Sequence, residues 1–548
     1  MSTVALARQR DTAGGAFTGT GQLIRFMLRR DRIRLPVWIA SLTAFVVGFA
    51  ATLPGVYASF EEQQLRAALI GNPGTRAMTG PGYGLDHYTF GAMIGLEFLS
   101  WTAVFLAIMS ILMVVRHTRA EEESGTAELL RSTVVGRHAV LSAAVLVTVG
   151  ANLAIGLVIG AGLGALGIES VTWAGSLLFG LALASIGIVF AAVAAVTSQI
   201  AESARAASGL AGAVFAVAYL LRAAGDMSQV GGNALSWLSP IGWAQQTRMY
   251  VDDRWWPLLL SVAVTVALVG AAFWLSTRRD VAAGLRRPKP GRPRARGVLT
   301  TPAGFVWRMQ CWPILWWAFG LTAFGLFYGS LAGELEDFVS GLSTIEEWIG
   351  AVGGAVIIES FLSMIVMMLA IAVAAFSVLS MRRLRTDETS GMSEQILATG
   401  VSRQRWALSH LSVTLGAGAV LMVLAGGGLG VTAALSAGEP SLFPKLLLAG
   451  LVHVPAVWLV AAIAMALIGA APRFSALAWI IVAYAIIVSS FGELLGLPEW
   501  AGRLSPFGWV PLMPAEPFTA GPVFVLIAAA VALAGVGVGA WDRRDIGA

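Results

Sequence analysis

The stretch TWAGSLLFGLALASIGIVFAAVAAVT, residues 172–197, carries no charged side chain. A helix that crosses a bilayer needs about 20 predominantly apolar residues, because each residue adds about 1.5 Å to a path of about 30 Å. Residues 172–197 meet that requirement without interruption. The stretch therefore predicts a transmembrane helix, and the class of the whole protein depends on how often such stretches recur.

Apolar stretches of this length recur from one end of the chain to the other. Of the 548 residues, 57% are hydrophobic and 12% are charged, whereas soluble proteins carry about 25% charged residues. So little charge cannot cover a water-facing body, which excludes a soluble enzyme. We predict an all-α polytopic membrane protein with twelve transmembrane helices. The predicted spans lie near residues 35–57, 91–115, 139–166, 172–197, 206–222, 256–275, 313–333, 352–380, 406–435, 445–470, 474–492 and 521–541.

The placement of arginine sets the predicted orientation. Arginines concentrate in segments 25–34, 116–137 and 382–405, whereas segment 334–347 contains acidic residues and no Arg or Lys. Positively charged loops stay in the cytoplasm. We therefore expect both termini to be cytoplasmic and the protein to lie in the inner (plasma) membrane.

Two polar segments divide the predicted spans. Segment 21–34, GQLIRFMLRRDRIR, fits an amphipathic helix at the cytoplasmic interface, with a plain basic flank as the alternative. Segment 286–297, RRPKPGRPRARG, predicts a cytoplasmic linker that touches anionic lipid rather than nucleic acid. The predicted divisions are a cytoplasmic N-terminus with the interfacial helix (1–34), a first six-helix half (35–275), a basic linker with a second interfacial segment (276–312) and a second six-helix half (313–548).

An internal repeat relates the two halves. RHTRAEEESGTAELL (116–130) matches RRLRTDETSGMSEQI (382–396) at an offset of 266 residues, which is 382 minus 116. We predict a tandem duplication of a six-helix unit. An even number of spans in each copy makes the copies parallel, related by an axis along the membrane normal, with a seam between them. Further matches in the same order are GAGLG (160–164) with GGGLG (426–430), LSPIGW (238–243) with LSPFGW (504–509), and LTAF (42–45) with LTAF (321–324), the last displaced by an insertion in the first half.

The matched acidic segments are the main candidate site. In each copy a cluster of carboxylates precedes Ser-Gly, which can end one helix and start another. A short amphipathic helix at the cytoplasmic face would result, and its carboxylates could contact Arg or Lys of a partner protein. The alternative is a solvated loop that only joins two spans. The candidate residues are Glu121, Glu122, Glu123, Ser124, Gly125 and Glu128 in the first copy and Asp387, Glu388, Ser390, Gly391 and Glu394 in the second.

These segments also carry a family resemblance. EEESGTAELLRSTVVGR (121–137) and DETSGMSEQILATGVSR (387–403) resemble the first cytoplasmic loop of ABC exporter permeases. The duplicated arrangement is similar to actinobacterial tetronasin-type permeases, known as exporters of polyketide antibiotics or multidrug permeases, and GPGYGLDHYTF (80–90) fits more loosely. The resemblance implies a type V exporter fold and coupling helices that dock on two copies of a cytoplasmic ABC ATPase, where ATP and Mg would bind.

Motifs of catalysis and cofactor binding are missing from the sequence. It contains no G-x-x-x-x-G-K-[ST] phosphate loop, no H-E-x-x-H and no G-x-S-x-G. We therefore expect no enzyme activity, metal or cofactor on this chain and ATP hydrolysis on a separate subunit. GAGLG and GGGLG lie within apolar spans, where glycines indicate close helix packing rather than a dinucleotide site.

A pathway for hydrophobic or amphipathic compounds is predicted along the seam, lined by spans two, five, eight and eleven. Glu97 and Glu359 lie in apolar spans, where a carboxylate usually has a function, although they could instead reach the outer surface or hold a structural hydrogen bond. The rival functions are an ion-coupled secondary transporter and a membrane enzyme or scaffold. The candidate pathway residues are Glu97, Trp101, Phe215, Tyr219, Glu359, Phe361 and Tyr484, and the candidate outer-gate residues are Pro240, Trp243, Pro506 and Trp509, for which a rigid turn is the alternative.

Overall fold

The computed structural model describes residues 15–57, 59–125, 135–278, 297–333, 354–491 and 498–545. It is 82% helical, and no strand occurs in these ranges. Twelve of the described helices are long and apolar enough to cross a membrane, which confirms the predicted class. The helices are α1 Thr20–Arg30, α2 Arg34–Val56, α3 Phe60–Gly71, α4 Pro73–Thr79, α5 Phe90–Met93, α6 Leu99–His117, α7 Arg119–Glu123, α8 Ala139–Gly164, α9 Trp173–Ile200, α10 Ala204–Ser228, α11 Pro240–Gln245, α12 Pro257–Arg278, α13 Pro302–Ser330, α14 Gly354–Thr389, α15 Met392–Leu397, α16 Arg403–Ser436, α17 Leu442–Ala470, α18 Ala478–Phe491, α19 Glu499–Leu504 and α20 Ala520–Arg543.

The chain forms two compact units, residues 1–290 and 291–548. Each unit has its own hydrophobic core of side chains from its long helices. Phe179 and Phe190 of α9 are fully buried in the first core. Trp406 of α16 and Trp541 of α20 are fully buried in the second. The central helices of each unit are therefore shielded by their neighbours, while the outer helices turn apolar side chains outward, as lipid-facing helices do.

Close helix crossings depend on glycine. Gly156 of α8 and Gly180 of α9 face each other so closely that a Cβ on either would collide with the carbonyl oxygen of the other. Small residues let helix backbones approach in this way, which increases van der Waals contact where lipid supplies no hydrophobic driving force. The predicted packing role of the two glycine-rich motifs is confirmed: a Cβ on Gly160 would lie 2.8 Å from the carbonyl oxygen of Ser176, and one on Gly426 would lie 2.9 Å from that of Leu446.

Two helices differ from the predicted bounds. The span predicted from residue 313 begins earlier, at Pro302, where the Thr301 hydroxyl accepts the Gly304 amide at 3.1 Å. The cap and the proline at the first turn start the helix, and Pro313 is tolerated within it. Residues 302–312, which were predicted to belong to the second interfacial segment, therefore form one continuous helix with the span. Helix α14 likewise continues to Thr389, so its arginines and first carboxylates lie on a helix rather than on a loop.

The segment before the first span is helical, as the pattern of residues 21–34 suggested. Helix α1 buries Leu23 and Met27 on one face, and its last turn carries Arg29 and Arg30. This spacing of apolar side chains, one turn apart, is typical of an amphipathic helix. Helix α1 packs against α8, and its location at a membrane interface stays a prediction.

Candidate functional site

The first acidic segment is a bent continuation of α6. Helix α6 ends at His117, Thr118 departs from helical geometry (φ −121°, ψ −83°), and α7 follows from Arg119 to Glu123. The chain then turns at Gly125, whose φ of 76° lies in the left-handed region that favours glycine. The sequence Ser124-Gly125 thus ends a helix as predicted. The predicted Glu128 lies outside the described residues.

Glu121 and Glu122 of this segment point into the protein, whereas Glu123 is exposed. Glu121 is 3% exposed and binds Arg30 of α1 at 2.5 Å. Glu122 pairs with Arg119 at 2.6 Å, and Glu123 accepts the Ala204 backbone amide at 2.9 Å. Glu123 therefore caps the amino terminus of α10, where a negative charge is favourable. Together these contacts fix the segment to α1 and α10.

Asp31 extends the network to the turn between α1 and α2. Its side chain is 2% exposed, bonds Arg116, and lies 2.5 Å from His117 Nε2. His117 Nδ1 lies 3.7 Å from Glu121 on its other side. A buried carboxylate of this kind is stable only when cations and hydrogen bonds compensate its lost hydration. The network joins α1, the turn that follows it, α6 and α7 into one cluster.

The second acidic segment repeats this geometry on other partners. Asp387 pairs with Arg383 at 2.9 Å, and Glu388 pairs with Arg385 at 2.7 Å. Glu388 is also bound by Arg544 at 2.7 Å, whose guanidinium lies over the Trp541 ring at 4.6 Å. The carboxyl-terminal end of α20 therefore holds the second segment, whereas α1 holds the first.

The two segments share one ion pair at equivalent positions. Arg119–Glu122 and Arg385–Glu388 are both i,i+3 pairs on a helix, and each residue of one pair lies 266 positions before its counterpart. The pairing is local, so the repeated sequence is enough to form it twice. The repeat seen in the sequence is thus also a repeat in side-chain geometry.

The two acidic segments expose fewer carboxylates to a partner protein than the sequence predicted. Glu121, Asp387 and Glu388 are buried, and their charges are satisfied within the chain. After Gly391 (φ 74°), the six-residue helix α15 exposes Glu394 and turns Ser393 inward, where Ser393 lies 3.3 Å from the indole nitrogen of buried Trp406. The side chains that stay exposed in the described part of both segments are Glu123, Ser124, Thr386, Thr389, Ser390, Glu394 and Gln395.

The LSPIGW motif forms a tightly bonded turn. The Ser239 hydroxyl accepts the Ile241 amide at 3.2 Å, and Pro240 starts the short helix α11. The Trp243 indole donates to the Trp237 carbonyl at 2.6 Å. A Cβ on Gly242 would collide with a backbone carbonyl oxygen, so only glycine allows this turn to close.

LSPFGW forms the same turn in the second unit. The Ser505 hydroxyl accepts the Phe507 amide at 3.3 Å, and the Trp509 indole donates to the Arg503 carbonyl at 2.7 Å. Every bond joins positions equivalent to those of the first motif. Pro240, Trp243, Pro506 and Trp509 therefore lie in rigid turns, which is the alternative that the sequence left open, and a gating role for them stays a prediction.

A buried polar cluster fixes the carboxyl-terminal end of α10 in the first unit. Arg222 and Asp226 are fully buried and lie 3.4 Å apart. Arg76 of α4 donates to the Asp226 carbonyl at 2.9 Å, and Gln245 donates to the Thr79 carbonyl at 2.9 Å. These bonds tie α4, α10 and α11 together, so the first LSPxGW turn belongs to a rigid cap.

Glu97 and Glu359 are both paired with a cation. Glu97 lies in a π-helical turn, Ile94–Phe98, and bonds Arg66 of α3 at 2.6 and 3.2 Å. Glu359 bonds Lys445 at 2.7 Å. In this conformation each carboxylate is already paired with a cation, and a role in solute binding or gating stays a prediction.

Tyr88 completes the Glu97 pair. Its hydroxyl donates to Glu97 at 3.1 Å, and burial raises the pKa of the phenol, which keeps that proton in place. Burial opposes the charge of Arg66, but the hydrogen bond and attraction of Glu97 outweigh it and raise the pKa of the guanidinium. The guanidinium of Arg66 therefore keeps its charge beside Glu97.

The remaining predicted pathway residues differ in exposure. Trp101 is 40% exposed, whereas Phe215 packs on Phe190 with ring centroids 5.1 Å apart. The Tyr219 hydroxyl donates to the Met78 carbonyl at 3.3 Å and the Tyr484 hydroxyl to the Ala501 carbonyl at 2.7 Å. The Tyr219 hydroxyl thus links α10 to α4, and the Tyr484 hydroxyl links α18 to α19. Phe361 is half-buried, with its ring centroid 6.4 Å from that of Tyr328.

Sequence reasoning missed the partners of these carboxylates. Arg30, Arg66, Asp31, Lys445 and Arg544 lie far along the chain from the groups they bind. The sequence offered one signal, the charged residues next to apolar spans, because a buried ion needs a counterion. That signal predicts that ion pairs form but does not identify the two residues of each pair.

Replacing Glu97 by glutamine is expected to lower thermal stability and to reduce transport of cationic and neutral solutes alike. The change leaves Arg66 without its charged partner, which costs about 2 kcal/mol for a charge-assisted hydrogen bond. Thermal unfolding of the purified protein and solute export from cells that produce it measure the two effects. Glu61→Gln, an exposed change on the same outer helix α3, is the control. A loss confined to cationic solutes would instead identify Glu97 as a solute-binding group.

Comparison with known proteins places the chain. The family model described as "Multidrug efflux system permease Rv1217c, C-terminal domain" matches residues 22–275 and 299–541. The chain belongs to this family. The multidrug efflux system permease protein Rv1217c of Mycobacterium tuberculosis (strain ATCC 25618 / H37Rv) is 38% identical to the chain over 558 aligned residues, which cover all of both proteins. The permease is thus a multi-pass membrane transporter rather than an enzyme, and the resemblance to a multidrug exporter permease is confirmed.

Proposed function

We propose that the permease exports hydrophobic or amphipathic compounds, using ATP hydrolysed by two copies of a separate cytoplasmic ABC ATPase. The observation that carries this proposal is the pair of acidic segments, which repeat one internal ion pair at equivalent positions. Two equivalent segments suit two equivalent partner subunits. ATP and Mg would bind to those subunits, and the type V exporter fold belongs to the same proposal.

The contacts within each segment support a mechanical role. A partner can move a helix only through a segment that does not bend away under load. The buried pairs of Glu121 with Arg30 and of Glu388 with Arg544 supply that stiffness. The exposed rim of α15 is left to contact the partner, with Glu394 available for an Arg or Lys.

A helical path connects each segment to an outer ion pair. Helix α14 runs from Gly354 to Thr389 and carries both Glu359 and Glu388. In the first unit, residues Phe90–Glu123 form one candidate span that carries Glu97 and Glu121. A displacement at the cytoplasmic end can therefore reach Glu359 along one continuous helix, and Glu97 along a helical path that bends at Thr118. We propose that this movement opens the outer pairs for release.

The exposed side chains of these helices suit apolar solutes. Trp101, Phe105 and Leu112 of the first unit are each at least 40% exposed, as is Met364 of the second. Aromatic rings and the flexible thioether of methionine adapt to varied apolar surfaces. This chemistry supports amphipathic or hydrophobic substrates.

Reversing the charge of Glu394 to lysine, together with Glu128 to lysine at the equivalent position, is expected to reduce co-purification of the ATPase at least about tenfold. Repulsion replaces attraction at both contacts, and a rim charge pair contributes up to about 1 kcal/mol. The permease should stay folded, because Glu394 is exposed. Affinity capture from membranes that contain both subunits measures the outcome.

The control for this experiment is Glu439→Lys, since Glu439 is exposed in a loop that precedes α17. Undiminished capture of the ATPase by the double variant would reject docking on the acidic segments. Solute transport by the purified permease alone, driven by a proton or sodium gradient, would support the ion-coupled secondary transporter instead.

A further inference from the structure

A cavity of about 240 Å³ lies at the cytoplasmic end of the first unit, between α2 and α6. Its polar rim contains Asp31, Arg34 and Arg116, and its apolar wall includes Trp38 and Leu112. Arg34 is the first residue of α2, and Arg116 lies in the last turn of α6. The rim therefore lies where two candidate spans emerge on the side that the arginine pattern assigns to the cytoplasm.

The rim of this cavity carries more positive than negative charge, with two arginines and one aspartate. Asp31 is already engaged by Arg116 and His117. Arg34 is exposed and makes no ion pair or side-chain hydrogen bond with any described residue. One guanidinium is thus left to bind an anion, and its planar array of donors fits a phosphate group with two parallel bonds.

The surroundings favour a lipid phosphate over a free one. Leu112 is 52% exposed and Phe105, two turns along the same face of α6, is 44% exposed. The cavity therefore continues into an apolar surface on the membrane side. On the other side, the last turn of α1 and the turn after it expose Arg29 and Arg32. Basic pockets between spans at this level suit anionic headgroups.

We propose that this cavity binds an anionic phospholipid of the cytoplasmic leaflet. Arg34 holds the phosphate, and one acyl chain lies along Trp38 and Leu112. Alignment of the two LTAF sequences places Pro313 at the position of Arg34 and Gln310 at that of Asp31, so the charged residues of the rim do not recur at the equivalent positions of the second unit. These two positions lie inside the continuous helix α13 rather than at a helix start, so the rim is not repeated there.

The bound lipid would stabilise the first acidic segment. Asp31 lines the cavity and also contacts His117, which lies 3.7 Å from Glu121. A phosphate on Arg34 keeps this guanidinium from competing with Arg116 for Asp31, so the network stays intact. Lipid binding itself does not depend on the proposed ATPase.

Native mass spectrometry of the full-length permease, titrated with phosphatidylglycerol or phosphatidylcholine, tests the site. We expect tighter binding of phosphatidylglycerol and about fivefold weaker binding of it by Arg34→Gln, which corresponds to about 1 kcal/mol per arginine at an anionic surface. Arg34→Lys, which keeps the charge without the planar donor array, should give an intermediate loss. Arg25→Gln, an exposed change on α1, should bind like the unmodified chain.

Several outcomes would overturn the proposal. Equal binding of phosphatidylglycerol and phosphatidylcholine would show that the headgroup charge does not contribute to binding. Equal loss in Arg25→Gln and Arg34→Gln would show general surface attraction rather than a site. Displacement of phosphatidylglycerol by inorganic phosphate at comparable concentration would identify a site for free anions, since the acyl chain would then add nothing.

Discussion

Replacement of Glu388 by alanine is expected to lower the free energy of unfolding by about 3 kcal/mol, in the range found when one member of a buried ion pair is removed. Arg385 and Arg544 both bind this carboxylate at 2.7 Å. Without it, two guanidinium groups face each other beside the Trp541 ring. We expect a lower unfolding temperature, measured on the purified permease by size exclusion after heating, and loss of transport.

The controls separate stability from docking. Glu394→Ala changes an exposed carboxylate of the same segment and should alter stability by less than about 0.5 kcal/mol. Adding Arg544→Ala to Glu388→Ala removes one of the two unpaired cations and should restore part of the loss. An unchanged unfolding temperature in Glu388→Ala would show that the carboxylate is solvated and does not hold the segment.

Replacement of Gly180 by alanine is expected to destabilise the first unit by about 3 kcal/mol, at the upper end of the cost of overpacking. The added Cβ would collide with the Gly156 carbonyl oxygen, so α8 and α9 must separate along their whole contact. Backbone atoms cannot move aside as a flexible side chain can. A lower unfolding temperature and increased protease cleavage of the solubilised permease measure the effect.

Gly150→Ala is the matched control for this glycine. It lies on α8, and a Cβ there meets no heavy atom within 4 Å. Because alanine favours helix more than glycine does, this variant should be as stable as the unmodified chain or slightly more stable. Equal destabilisation by both changes would mean that helix propensity rather than the crossing decides the result.

Much of the architecture was predictable because the membrane sets a length for apolar segments. All twelve predicted spans correspond to candidate membrane helices, and the glycine-rich motifs pack as expected. Errors occurred where polar residues continue a helix beyond its apolar part. The residues before Pro313 and the arginines of α14 lowered the local hydrophobicity without ending the helix, so apolar length alone misplaced those ends.

The sequence by itself determined the membrane class, the number of candidate spans, the repeated acidic segments and the i,i+3 pairs, because all of these depend on local composition and spacing. Only the tertiary structure decided which charges meet. Asp31 meets His117, and Glu388 meets Arg544, across separations that no local pattern encodes. The physical reason is that a buried ion requires a counterion but not a particular one. Helix packing brings distant parts of the chain together and so determines which ions pair. As a result, most of the candidate docking carboxylates form ion pairs or hydrogen bonds within the chain.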